Sequence, residues 1–361
     1  MKILLLTLTL LSSTQLSILS AQDIPQLNSY AKALMTSMSE LQKKQACFSF
    51  DDKKREKWSN LPVGLIDRAG VRYGDLSNQS RIHFHMMLST ILSSQGYLKI
   101  TSIMQMEKVL NGLIDLAYKE GLMNDKQRKR LEDLEWDYGN YFLSIWGKPS
   151  DKTPWGFNFG GHHMAINFTI VEGKISVSPF FLGSDPGQVK DGPYAGLRIL
   201  SKEEDYGFML LQFLSEEQKE QAIIEEDVPQ DIITNPNAPQ RIDEYYGVPV
   251  SSFNEDQRYI LKMLITEYAH NFEHTTAHKF MNMLEEGGMD KLYFSWIGSQ
   301  EKGAPHYYLI NGPDFMIEYD NYPSKGNHVH LILRDKRNHF GEDLLKDHYQ
   351  NHPHHKKKGN K

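Results

Sequence analysis

The chain is expected to fold as α+β, with a largely antiparallel sheet that carries a histidine and carboxylate face and helices both before and inside it. Three patterns predict this. Apolar residues recur at helical spacing from about residue 24 to 135. From about 140 the texture changes to short β-branched and aromatic runs punctuated by turn residues. These runs fall in two groups, with helical stretches near 201–226 and 254–286 between them.

Met1-Lys2, an apolar run from Ile3 to Leu11 and a Ser/Thr-rich stretch ending at Ser20-Ala21 read as a secretory signal over 1–21. A periplasmic or extracellular location is the expectation. The apolar run is shorter than the roughly 20 residues a bilayer span requires, so no stable membrane insertion is expected after cleavage. Leu27, Tyr30, Ala33, Leu34 and Leu41 give the first helical stripe, and a loop with Pro62, Gly64, Gly70 and Gly74 follows. Asp75-Leu76-Ser77 signals the start of a helix through Met86, Leu88 and Leu92, which Gly96 is expected to close. A further helix from about Lys99 would turn Ile103, Met106, Val109, Leu110 and Leu113 to the core.

Strands are predicted over 141–146, 155–159, 162–171 and 174–181, with Glu172-Gly173 as a hairpin turn between the last two. Four more are predicted over 291–297, 306–311, 315–321 and 327–334, and a short helix over 341–349. Residues 351–361 read as a flexible His/Lys tail.

Composition narrows the function classes. The chain has 361 residues, 40% hydrophobic, so a sizeable core is available. Its formal charge of −6, from 40 basic and 46 acidic residues, gives no electrostatic reason to bind nucleic acid. The one cysteine, Cys47, cannot form an internal disulfide and is expected to be a buried, inert thiol. No nucleophile elbow, phosphate-binding loop, dinucleotide fingerprint or Cys-x-x-Cys motif occurs. Trp146, Trp155 and Trp296 fit core positions better than ligand-stacking ones.

Chemistry concentrates near the C-terminus. In a strand, residues two apart share a face, so His328 and His330 point one way, and Glu318 and Asp320 do the same on the preceding strand. If Asn321 and Asn327 face each other across the turn, Asp320 lies opposite His328 and Glu318 opposite His330. Phe315, Ile317, Val329 and Leu331 would then fill the other face. Four titratable groups on one face are costly unless they form a site or a satisfied network.

His162-His163 and His306 open other predicted strands and supply further imidazoles. A His-x-His pair with a third histidine and a carboxylate is one way to hold a divalent transition metal such as Zn, Fe, Mn or Cu. The metal candidates are therefore His162, His163, His306, His328 and His330, with Glu318 or Asp320 as ligand or general base and Tyr307, Asn321, Asn327 and Arg334 as pocket residues. A metal-dependent hydrolase or oxidoreductase leads on this reading. A metal-free module binding a small molecule or glycan, and a purely structural network, are the alternatives. His270, His274 and His278 fall four apart but lack the Glu of a zinc-protease helix, and are read as a solvated face. His83 and His85, two apart in a helix, diverge.

A wider set of motifs resembles an uncharacterised family, domain of unknown function 3500. They run from Asp75-Leu76-Ser77 with Gln79 and Arg81, and Leu92-Ser93 with Gly96-Tyr97, through Trp155-Gly156, Gly161-His162-His163, Asn167-Phe168 and Phe181-Leu182-Gly183. The densest block holds His306-Tyr307-Tyr308, Gly312-Pro313, the segment from Ile317 to Asn321, Asn327-His328-Val329-His330, Arg334-Asp335, Phe340-Gly341, Asp343-Leu344-Leu345 and His348-Tyr349. Leu309 and His339 depart from the pattern, standing where an arginine and an acidic residue are expected. The resemblance implies one integrated domain over 22–350, with helices over about 24–135 and a sheet-rich part over about 140–350. It implies no activity.

Overall fold

The computed structural model describes residues 24–225 and 227–351. The expected signal segment lies outside the described residues, as does the tail beyond Asn351. Helices α1 (Ile24–Ser37), α2 (Glu40–Ala46), α3 (Asn78–Ile91), α4 (Ser94–Lys119) and α5 (Asp125–Glu132) fill the first part, with short strands β1 (Cys47–Phe48) and β2 (Val71–Arg72) among them. Strands β3 (Phe142–Trp146), β4 (Trp155–Gly161), β5 (Met164–Val171), β6 (Lys174–Ser176) and β7 (Phe180–Ser184) follow. Next come α6 (Ser201–Phe213), α7 (Glu216–Ala222), β8 (Val248–Pro249), α8 (Glu255–Ala269) and α9 (His274–Gly287). The chain closes with β9 (Tyr293–Gly298), β10 (His306–Asn311), β11 (Phe315–Asp320), β12 (Val329–Asp335) and α10 (Glu342–Asn351).

Side-chain caps set many helix starts. Ser39, Ser77, Ser93, Asn124, Ser215 and Asn254 each accept the backbone N–H three residues on. Among the described residues the strands form one sheet, ordered β1-β3-β4-β5-β7-β12-β11-β10-β9-β8, with β2 on β3 and β6 on β5. Its pairings are antiparallel except β1 with β3. The fold class is α+β, as the sequence predicts.

The two faces of the sheet differ. Helices cover one, where Leu27 and Leu34 of α1, Phe84 of α3, Ile100 of α4 and Leu261 of α8 share a core with Phe157, Ile166, Leu182, Ile317 and Leu331 of the strands. Loops cover the other: Trp58 packs beside Phe181, Ile232 and Ile332, and Ile224, Val228 and Ile242 pack on Tyr307, Leu309 and Met316. No helix of the described residues is long and apolar enough to cross a membrane.

Several expectations need correction. The predicted strand over 174–181 is two strands, since the chain leaves the ladder between Ser176 and Phe180. The helix over 254–286 is also two: α8 ends at Ala269, so His270 does not share a helix with His274 and His278. Cys47 is half-buried at the end of α2, and burial pushes its thiol up. Gly96 does not close a helix; it sits in the first turn of α4. There, a Cβ would lie 2.0 Å from the Asn271 carbonyl oxygen. The glycine lets α4 approach the link between α8 and α9, where Ser93 N–H donates to that same carbonyl.

That close approach is testable. Alanine is the better helix former by about 1 kcal/mol, but overpacking against a backbone carbonyl typically costs about 1–3 kcal/mol. Gly96→Ala is therefore expected to lower stability in chemical denaturation. A neutral or stabilising effect would contradict the packing described.

Candidate metal centre

The site lies on the loop-covered face, where the β4–β5 turn and the start of β12 deliver imidazoles to one point. His162 and His163 form the two-residue turn joining β4 to β5, and His163 has a positive φ of 61°. His330 lies on β12, and His328 stands just before it. Strand β7 runs between β5 and β12, with Gly183 opposite His330 and its N–H donating to the His163 carbonyl at 2.7 Å. A Cβ at Gly183 would lie 3.0 Å from Cδ2 of both His163 and His330, and 2.8 Å from the Val329 oxygen. Only glycine leaves room for the two rings to close over the strand.

His163 Nε2 lies 2.7 Å from His328 Nε2, which lies 3.1 Å from His330 Nε2. The far nitrogens of two of these rings face acids. His330 Nδ1 lies 2.7 Å from Asp231 Oδ1, and His328 Nδ1 lies 3.4 Å from Asp185 Oδ2. An ionised carboxylate can only accept, so each Nδ1 facing one carries the proton and each Nε2 keeps its lone pair. Lone pairs therefore converge.

Electrostatics agrees with neutral rings at His163 and His328. Burial, reinforced by the neighbouring imidazoles, holds His163 well below the ordinary histidine range. Burial and His330 bring His328 down to about 3. Burial pushes the Asp231 carboxyl up, but the hydrogen bond from His330 Nδ1 and the N–H groups of Ile232 and Asn60 hold it below the usual value. Burial lifts Asp185 to about 6 against the pull of His330.

A second layer lies behind His163. The His162 ring packs against it, tilted by 34° with centroids 3.6 Å apart, and His162 Nδ1 lies 3.0 Å from Glu107 Oε1. Tyr141 OH donates to the same Glu107 oxygen at 3.2 Å. Burial lifts Glu107 to about 8, against the Tyr141 bond. Glu107, Asp185 and Asp231 are absent from the sequence-based candidates. Glu107 did leave a signal, a carboxylate on the apolar stripe of α4 with Ile100, Ile103, Met104 and Leu110. Asp185 and Asp231 lie in irregular segments and left none.

The other predicted residues divide. The parity argument holds, since Phe315, Ile317, Val329 and Leu331 belong to the helix-side core. The register does not: Asp320 pairs with His330 and Glu318 with Ile332, a shift of two residues. Asn321 does not face Asn327 because its side chain is spent on β10, accepting from His306 N–H at 2.7 Å and donating to the Gly326 carbonyl at 3.1 Å. Asp320 remains buried on the His330 face, accepts among the described residues only from Tyr322 N–H, and is lifted by burial to about 8.

Glu318 is an anchor by its contacts. It accepts from Ile233 N–H at 2.6 Å, Tyr307 OH at 2.9 Å, and both the N–H and hydroxyl of Thr234. Arg334 adds bonds to Thr234 Oγ1 at 2.8 Å and Thr234 O at 2.5 Å. Glu318, Tyr307 and Arg334 thus fasten the loop that presents Asp231 to His330. Asn327 grips Gln188 through both its amide atoms, close to Asp185.

His306 does not join the other histidines. Tyr307 pairs with Asp320 and takes the His330 face, so His306 turns to the helical side. There it stacks on Trp296 at 4.8 Å, and its Nδ1 meets the Ala304 carbonyl at 3.0 Å.

Beside the histidines a cleft of about 950 Å³ opens on the β3–β5 part of the same face, lined by Trp58, Asn60, Arg68, Phe142, Asn158 and Asp231 among others. Asn60 connects it to the centre: its carbonyl accepts His163 N–H at 3.2 Å, and its amide donates to Asp231 at 3.3 Å.

The placement of His306 has a measurable consequence. Burial lowers its pKa from 6.5 to about 4, so the folded ring stays neutral while the unfolded ring takes a proton below 6.5. Between those values the unfolded state binds more protons, and stability falls as the pH falls. Relative to His306→Phe, the wild type should lose up to about 3 kcal/mol between pH 7 and pH 4. A difference independent of pH would contradict this placement.

Comparison with known proteins adds the family and no activity. No curated protein and no solved structure matches the chain. One family model, described as a protein of unknown function (DUF3500), matches residues 20–342. The chain thus belongs to the family of domain of unknown function 3500, and its histidine centre lies within the matched span.

Proposed function

We propose that His163, His328 and His330 hold a divalent transition metal ion, and that the protein is a metal-dependent enzyme acting on a small molecule in the adjacent cleft. One observation carries the reading: three imidazoles, two buried and that of His328 half-buried, turn Nε2 toward a common point, while carboxylates face Nδ1 of two of them. At most one of the three can donate to another, so the set lacks protons for its lone pairs. A cation meets that need.

Two nitrogens bonded to one tetrahedral ion at about 2.0–2.1 Å lie roughly 3.3 Å apart. The observed 2.7 and 3.1 Å are reached from that arrangement by a shift of a few tenths of an ångström. Three neutral imidazoles suit Zn, Cu or Fe better than Mn, which favours oxygen. Three protein ligands leave a position open, where the ion would polarise a substrate or activate water or oxygen. Hydrolysis follows if the ion is zinc, and oxidation becomes available if it is iron or copper.

Of the acids named from sequence, Asp320 is the better proton carrier on this reading. It keeps unused acceptor capacity on the His330 face, whereas Glu318 is fully engaged. Export to the periplasm or exterior belongs to the same proposal and rests on the pattern of residues 1–21. The cleft also supports a second reading, a metal-free module for a small molecule or glycan, through its half-buried Trp58 and its amide side chains.

Metal analysis decides between these readings. The full chain, purified without an added histidine tag and dialysed after loading with Zn²⁺, should retain tightly bound zinc, and His328→Ala should retain one ion fewer. Zinc content unchanged by His328→Ala, or no retained zinc, would sink the enzyme reading. A separate expectation concerns orientation. Asp231→Asn should weaken zinc affinity about 10- to 100-fold, the usual effect of losing a carboxylate behind a ligating histidine, with little change in the zinc-free melting temperature. Unchanged affinity would remove Asp231 from the centre.

A further inference from the structure

The layer formed by Glu107 and His162 is not explained by a single ion at the three-histidine point. Glu107 Oε2 is buried without a hydrogen-bond partner, and the residue is only 3% exposed. A buried carboxyl oxygen left bare costs more than an ordinary hydrogen bond contributes unless something meets it. The groups around it are ligand types: one oxygen of Glu107, one nitrogen of His162 and one nitrogen of His163 lie within 4.8 Å of one another.

We infer that Glu107, His162 and His163 bind a second divalent cation, so that the centre holds two ions with His163 common to both. The inference rests on the proposed function, because His163 is also a ligand of the first site. With Nε2 of His163 turned toward His328, Nδ1 is the atom left for the second ion. The His163 ring then bonds both ions as imidazolate, its remaining proton passing to solvent.

The geometry accommodates this. His162 Nδ1 and Glu107 Oε1 are 3.0 Å apart. Donors about 2.0–2.2 Å from a shared ion subtend close to a right angle at that separation. The bare Oε2 supplies a further position on the same carboxylate.

Arg68 is the cation that opposes a second ion. Its Nη2 is tied to the carbonyls of Ser59 and Gly161, both at 3.2 Å, and to that of Leu61, while Nε and Nη1 lack partners.

Stoichiometry separates this inference from the reading beneath it. The full chain, with His352, His354 and His355 replaced by alanine to remove tail-borne metal, would be loaded with Zn²⁺, dialysed and analysed for zinc per chain. Two ions are expected, falling to one in Glu107→Gln and to one in His328→Ala. One ion in the parent chain, lost in His328→Ala but kept in Glu107→Gln, would overturn the second site and leave the first. No retained zinc would overturn both. Should Glu107→Gln fail to fold, the parent count and His162→Gln decide the matter, since one ion in the parent is already contrary to the inference.

Discussion

A buried imidazole nitrogen must meet a proton or a cation, and on this sheet three of them meet one another instead. The constraint that brings them there is a missing side chain. Gly183 sits on the strand between those of His163 and His330, and no Cβ fits beneath the two rings. Everything else at the centre follows from that closeness: the second ring of the β4–β5 turn packs behind at a tilt, and carboxylates from three separate segments come in around the outside.

Those carboxylates are held with unequal rigidity. Glu107 is fixed by a helix of 26 residues. Asp231 lies on an irregular loop, and its position depends on Glu318 gripping Ile233 and Thr234 while Arg334 grips Thr234 from the other side. A fully buried acid thus acts at one remove from the chemistry, converting a loop into a support for His330. Such outer supports fix which imidazole nitrogen carries the proton, and hence the direction of its lone pair. The cleft opens where this loop and the segment around Asn60 meet, so what binds there touches the same residues that steady the histidines.

The sequence showed the strands and their faces well, for a physical reason. Side-chain alternation has a period of two, so His328, His330, Glu318 and Asp320 announce a shared face whatever their exact pairing. The pairing itself was hidden. Asn321 is drawn to β10 rather than across the turn, which moves the register by two and keeps the parity. His306 lies on the helical side because its neighbour Tyr307 pairs with Asp320, a register that the short β10–β11 turn does not announce in sequence. Asp185 and Asp231 were invisible, since nothing local marks an acid in a loop as the partner of a histidine some 140 or 100 residues away. Glu107 was legible in principle as a charge on an apolar helix stripe. Gly96 departs from the usual rule that a glycine near a helix end stops it, because here it admits a neighbouring backbone.

X-ray absorption at the zinc edge of the loaded, dialysed protein tests the central claim most directly. Imidazole nitrogens at about 2.0–2.1 Å, with the outer-shell pattern of histidine rings and loss of that pattern in His328→Ala, are the predicted result. A first shell of oxygen alone, or a histidine pattern untouched by His328→Ala, would contradict it.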